Sequence, residues 1–390
     1  MNQFLPCLQE TKVGQALSRV QMWGRRLRLP ARSCPLLFLL AISVMAGRAQ
    51  EASSGFELNA TIGGIAIASN GLSEEPRSGS AADAGVRSVF YPLWKISEHW
   101  AIAGAWQAVS RPYFYESFST QGHGFQGSLL QGTLNYSRTT NKRSMLFRVG
   151  ELSTAFGSFL LHYDDAANPL VDLPMQYGYY YATVSSLPVA GAQLDLSGQK
   201  WDGRLQFANS SPANPRSVFA RDQYGNWAGG AGYTIRQGFR VGISGYRGPY
   251  LDRGYRYFFP GEANPSTLPA SALGVDVQWA RGHWNLQGEW QRFVMPYKVI
   301  PTFREAAEFV EAKRVLHPRW YLATRLSGLG AKAIGDRWSL ETAVGFRPNT
   351  SQILKFSYEI ERSSQGEYRR ENTVAIQLVT TIRPFSYAWR

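Results

Sequence analysis

Between Leu273 and Phe293 the chain reads LGVDVQWARGHWNLQGEWQRF, and large apolar side chains recur at every second position around a short ARGH turn. Leu273, Val275, Val277 and Trp279 alternate with Gly274, Asp276 and Gln278. After the turn, Trp284, Leu286 and Trp290 alternate with Asn285, Gln287, Glu289 and Gln291. Successive side chains of an extended strand point to opposite faces, so this is a β-hairpin with one apolar and one polar face. The same period continues to the C-terminus and predicts sixteen strands: 55–69, 84–94, 99–112, 126–139, 142–154, 188–198, 201–210, 227–236, 239–250, 272–281, 283–296, 308–316, 319–328, 337–347, 351–362 and 371–385. The strand at 308–316 competes with a short amphipathic helix over FREAAEFVEAKRVL, 303–316.

The connections alternate in length. KISEH, TTN, GQK, RQG, RGH, HPR and RPNTS are short, whereas 70–83, 113–125, 155–187, 211–226, 251–271, 297–307, 329–336 and 363–370 are long. A sandwich or propeller has no reason to sort its loops by parity. A transmembrane barrel does, because odd and even connections emerge on opposite membrane faces. The expected fold is therefore all-β: a transmembrane antiparallel β-barrel of about sixteen strands, with short periplasmic turns and long external loops. Aromatic residues follow the short turns directly at Trp100, Trp201, Phe239, Trp284 and Trp320, while Trp227 and Trp338 begin returning strands. Such rings suit the headgroup level, where indole meets both lipid and water.

Every backbone polar group in a bilayer must be paired, and a closed sheet achieves this with an apolar exterior. Leu273, Val275, Val277, Trp279, Leu286 and Trp290 then face lipid. Asp276, Gln278, Asn285, Gln287, Glu289 and Gln291 face the lumen. The same parity turns Asp202, Arg204 and Gln206, Ser339 and Glu341, and Lys355, Ser357, Glu359 and Glu361 inward. Two ionisable residues in one hairpin wall burden a dry core heavily. Arg314 falls on the lipid side of this register.

Arg25, Arg26, Arg28 and Arg32 precede PLLFLLAISVM, which ends in small residues at Gly47 and Ala49. This describes an export signal over 1–49 and a single barrel domain over 50–390. Both cysteines, Cys7 and Cys34, fall within the signal, so no disulfide framework or thiolate metal site is expected beyond it. Residues 1–50 carry net +6 of the total +13, which leaves a dispersed +7 and argues against a nucleic-acid partner.

The segment LFRVGELSTAFGSF resembles a strand of phosphate-selective porin O/P-type proteins, in which a glycine, a charged residue and a phenylalanine–glycine pair lead into a long loop. Gly150, Glu151, Phe156 and Gly157 match, and Ala155 stands where that family has proline. The resemblance implies a bacterial outer-membrane porin-like barrel in the cell outer membrane of a Gram-negative-type bacterium. Its implied partners are outer-membrane lipid, the outer-membrane assembly machinery and small hydrophilic solutes or ions, with a homotrimer as one assembly. It also implies that the loop 155–187 folds inward as a constriction. Asp164, Asp165 and Asp172 would supply its acidic side, facing the lumen-side arginines Arg148, Arg204, Arg240 and Arg325. The alternative is that these charges pair with one another across a solvated wall.

The expected function is passive diffusion of small hydrophilic solutes or ions, with no cofactor, metal or catalytic residue. A closed barrel acting as an adhesin or surface-assembly component, and a barrel hydrolase, are the alternatives. For the latter, His162 with Asp164 and Asp165 is the best cluster, at a spacing that matches no strong motif. The loop bearing Arg247, Arg253, Arg256, Tyr250, Tyr255, Tyr257, Phe258 and Phe259 suits either sugar and anion stacking or packing over the barrel mouth.

Overall fold

Sixteen strands form in chain order: β1 (Ser54–Ser69), β2 (Ala82–Lys95), β3 (Trp100–Arg111), β4 (Gly124–Thr139), β5 (Arg143–Leu152), β6 (Val189–Gly198), β7 (Trp201–Ala208) and β8 (Asn226–Arg236) in the first half. The second half holds β9 (Phe239–Pro249), β10 (Pro269–Arg281), β11 (Trp284–Met295), β12 (Phe303–His317), β13 (Trp320–Ala331), β14 (Gly335–Phe346), β15 (Gln352–Ser363) and β16 (Arg370–Trp389). This computed structural model describes residues 54–70, 81–111, 113, 124–178, 189–208, 225–249, 268–296, 301–331, 335–364 and 370–389. Each strand pairs antiparallel with its sequence neighbours, and β1 pairs with β16, so the sheet closes into a barrel without a free edge.

Burial is inverted relative to a soluble protein. Across β10 and β11, Asp276 stands opposite Glu289 and Gln278 opposite Gln287. Asp276, Glu289 and Gln291 are 3%, 4% and 0% exposed, whereas Leu273, Val275 and Val277 are 52%, 41% and 41% exposed. Trp100, Trp201, Phe239, Trp284 and Trp320 are each the first residue of a strand leaving a short turn. Exposed apolar side chains continue around the outside between these residues and Trp227 and Trp338. Two of the short turns need a positive φ, supplied by Gly238 (77°) and Gly282 (58°).

Three details bear on the sequence pattern. Residues 303–316 are strand, not helix: Phe303, Glu305, Ala307, Phe309 and Glu311 point inward while Arg304, Glu308 and Val310 are exposed. A helix here would leave the edges of β11 and β13 unpaired within the bilayer. With β12 beginning at Phe303 and β13 reaching Ala331, the connections expected over 297–307 and 329–336 are shorter than the alternation suggested, the second running only from Ala331 to Gly335. Arg314 does face outward, but it lies near the short turn made by Pro318 and Arg319. Trp284 stands opposite it, with the indole 5.1 Å from the guanidinium carbon. At that height a long cationic side chain reaches the headgroups while its stem lies against an aromatic ring.

The signal segment 1–49, His123 and residues 250–259 lie outside the described residues, as does the side chain of His162. The barrel interior is occupied by residues 153–178, which leave β5 and turn inward through a 3-10 turn (Leu160–His162) and a one-turn helix, α1 (Met175–Gly178). Phe156, Phe159 and Tyr177 pack on Tyr246, Phe293, Phe303 and Phe309. Val171 joins Ile65, Ile67 and Tyr113, and Leu170 joins Tyr321 and Ile353. Full burial of a side chain such as Phe156 or Leu170 contributes roughly 1.5–3 kcal/mol, enough to hold the segment against the wall.

Candidate functional site

The inward segment is anchored at its start by β7. Arg204 donates from Nε to the Ala155 carbonyl (2.7 Å) and from Nη2 to the Gly157 carbonyl (2.5 Å). Gln206 donates to the Ser153 carbonyl (2.8 Å) and accepts from the Ala155 N–H (3.1 Å). Gly157 has φ 77°, and a Cβ there would lie 2.9 Å from Glu289 Oε1 and 3.0 Å from the Tyr177 hydroxyl. The Phe156–Gly157 pair is thus a tight, left-handed seat that only glycine fits easily.

Glu289 collects donors from the segment: the Ser158 N–H (3.0 Å), the Ser158 hydroxyl (3.3 Å), the Phe159 N–H (3.4 Å) and the Tyr177 hydroxyl (2.6 Å). Glu341 accepts the Val171 and Asp172 N–H groups (2.9 and 3.2 Å) and pairs with Arg325 (2.7 Å). Arg325 also reaches Glu311 and donates to the Asp172 carbonyl. Lys355 donates to the carbonyls of Asp165 (2.6 Å) and Leu170 (3.0 Å) and to Gln377 (2.9 Å).

Asp164 accepts from the Tyr91 hydroxyl (2.5 Å). Asp165, 1% exposed, pairs with Arg87 (3.0 Å) and accepts from the hydroxyls of Tyr163 (2.6 Å) and Tyr113 (3.0 Å). Burial pushes the Asp165 carboxyl up, but the Arg87 guanidinium and the Tyr163 hydrogen bond outweigh it and hold it below its ordinary value. Burial, with the adjacent Asp165 charge, raises the Tyr113 and Tyr163 hydroxyls, so both stay neutral donors.

The charges expected to form a constriction therefore fall into two groups. Asp164 and Asp165 are turned onto β2, where their partners are Tyr91 and Arg87, two residues that the sequence pattern did not single out. Arg87 carried one signal: its inward parity on β2, two residues before the fully buried Val89. Arg148 and Arg240 lie elsewhere, paired along the wall with Asp195 (2.7 Å) and with Asp202 and Asp276 (2.6 Å each). Side chains of the Arg148–Asp195 pair are 19% and 27% exposed, and those of Arg240–Asp202 are 18% and 38% exposed. Those of Arg325–Glu341 and Arg87–Asp165 are 7% or less. Water reaches the β5–β9 wall and is excluded under the loop.

Of the other residues assigned to the lumen by parity, Gln287 donates to Glu311 (2.6 Å) and Glu359 is buried. Gln278 is half-buried opposite Arg240, and Asn285 is exposed opposite Lys313 near the short turns. Tryptophans 100, 201, 284, 320, 227 and 338 are 43–52% exposed on the outside.

A closed sixteen-stranded barrel, apolar outside and polar within, with a connection folded into its lumen, defines the class of the outer-membrane β-barrels. No protein-family model matches the chain, and no curated protein sequence matches it. Among solved structures, the chain is similar in fold to OprB of Pseudomonas putida, with TM-score 0.60 and 11% identity over 84% of this chain and 94% of that one. It is similar to the outer membrane channel DcaP of Acinetobacter baumannii, with TM-score 0.56 and 9% identity over 87% and 100%. The anion-selective porin from Comamonas acidovorans gives TM-score 0.55 and 10% identity over 84% and 100%.

Proposed function

We propose that this chain is an outer-membrane porin through which small hydrophilic solutes or ions diffuse passively, narrowed by the inward segment 153–178. The observation that carries the reading is the water-reached row of charges on β5–β9, Arg148–Asp195 and Arg240–Asp202, with the buried Asp276 of β10 behind Arg240, beside a loop seated in the lumen. Sixteen strands enclose an aqueous channel, whereas about eight fill with side chains. With Arg204, this wall carries three arginines and three aspartates, so a weak charge preference is expected rather than the phosphate selectivity suggested by the Gly150–Gly157 resemblance. A homotrimer fits this reading; one similar structure, OmpT of Vibrio cholerae, is described as a trimer form.

Planar-bilayer recording of the purified protein tests the proposal. Stepwise conductance is the expected result, and a folded protein without conductance defeats it. A second reading is favoured by one observation: the segment contacts β2, β7, β11, β13, β14 and β15, far around the wall. That is how a plug would sit in a closed barrel serving as an adhesin or assembly component. Deleting 160–178 separates the two. A constriction gives larger steps in a protein that already conducts, and a plug gives steps only after deletion.

A further inference from the structure

The long-loop end of the outer wall carries a row of side chains unlike the apolar band below it. Trp227 on β8 stands opposite Arg247 on β9, Arg247 opposite Ser271 on β10, Ser271 opposite Val294 on β11, and Val294 opposite Arg304 on β12. All five share the outward face, and Arg292 follows on the same face of β11, one pleat lower, opposite Leu273. Arg247, Arg292 and Arg304 are exposed, and among the described residues none of the three has a hydrogen bond or ion pair. Glu308 also faces outward, opposite Trp290, and forms no ion pair with them among the described residues.

Height gives these arginines their meaning. Arg247, opposite Trp227, lies eight residues from Phe239 at the short-turn rim, and Arg292 lies eight from Trp284 at that same rim. Below them the wall is apolar: Leu273 and Ile243 are 52% and 59% exposed. Adjacent strands are about 4.8 Å apart, so Arg247 and Arg304, three strands apart, bracket about 14 Å, with Arg292 between them. The comparable row on β14–β16 is spent internally, since Arg362 beside Trp338 donates to the Glu361 and Glu371 carbonyls.

We propose that the outer face of β8–β12 at the long-loop rim binds a net-anionic phosphorylated lipid headgroup through Arg247, Arg292 and Arg304, with Trp227 at the same level. The guanidinium fork matches phosphate oxygens, and the apolar wall directly beneath receives the acyl chains of the same molecule. The proposal rests on the exterior being lipid-facing, not on the barrel conducting.

Native mass spectrometry of the detergent-purified protein tests it, with lipid A (a diphosphorylated, acylated disaccharide) as the probe. Phosphatidylcholine and inorganic phosphate serve as competitors. Lipid A adducts are expected for the wild type. R247Q/R292Q/R304Q is expected to bind it roughly a hundredfold more weakly, at about a factor of five per interfacial arginine. R281Q/R319Q, at the opposite rim, should bind as wild type does, and neither competitor should displace the lipid. Wild-type binding by the triple variant overturns the proposal, and so does an equal loss in R281Q/R319Q. Displacement by inorganic phosphate overturns the lipid as occupant, and displacement by zwitterionic phosphatidylcholine overturns recognition of the net-anionic headgroup. Heat-modifiable migration confirms that each variant is folded, and conductance measured on the triple variant judges the pore separately.

Discussion

At Asp165 two opposing effects meet within one buried carboxyl. Burial favours the neutral acid, and Arg87, Tyr163 and Lys355 favour the anion and prevail. A carboxyl whose docked value is depressed stabilises docking at every pH above its free value and loses that contribution only as pH falls through the docked value. As far as Asp165 is concerned, seating of the segment should therefore be flat from neutral pH down to the ordinary 3.8 and should weaken below it. Arg87→Gln leaves burial less opposed, so release should begin at a higher pH. Conductance recorded as a function of pH checks this, and an unchanged onset in the variant would show that Arg87 does not set the charge state. Gly157 gives a second test. Gly157→Ala places a side chain at φ 77° against Glu289, Gln291 and Tyr177, at a cost of roughly 1–3 kcal/mol. Faster protease cleavage within 153–178 of the folded barrel is the expected outcome.

Among the elements, β8 and β9 show why glycine is placed in the wall. A Cβ on Gly232 would overlap the Arg240 guanidinium, and one on Gly242 would meet both Arg240 and Asp276. The glycines form a trough in which Arg240 lies flat between two aspartates. Arg240→Gln should leave the channel open but shift its reversal potential in a salt gradient toward cations, because Asp202 and Asp276 lose their shared partner. An unchanged potential would mean that permeating ions do not pass this wall. The strands themselves were legible because alternation is a local pattern. Over 303–316 it was ambiguous, since Phe303, Ala306, Ala307 and Val310 also recur at helical spacing and only pairing with β11 and β13 decides. The seat of the inward segment was not legible. Glu289 meets Ser158 across 131 residues and Lys355 meets Asp165 across 190, mostly through main-chain groups that carry no side-chain signature. Lys355 and Glu341 could be read as lumen-facing, but not as the anchors of a loop.

For the whole molecule, the decisive property is depth along the outer wall. Eight residues separate Phe239 from Arg247 and Trp284 from Arg292. At about 3.4 Å per residue and a tilt of about 40°, they span about 21 Å, close to the ~25 Å apolar band of a membrane barrel. Substitution cost should therefore depend on height rather than on local packing alone. Leu286→Arg, one pleat inside the rim marked by Trp284, should destabilise the folded barrel by roughly 1–3 kcal/mol, between the interfacial and midplane costs, whereas Val294→Arg, at the level of Arg247 and Arg304, should cost about 0–1 kcal/mol. Both positions belong to β11 and face outward, so the strand is held constant. Reversible urea unfolding in lipid vesicles measures the difference. Equal costs at the two heights would mean that no hydrocarbon lies against Leu286, and an exterior this apolar would then have to be covered by protein instead.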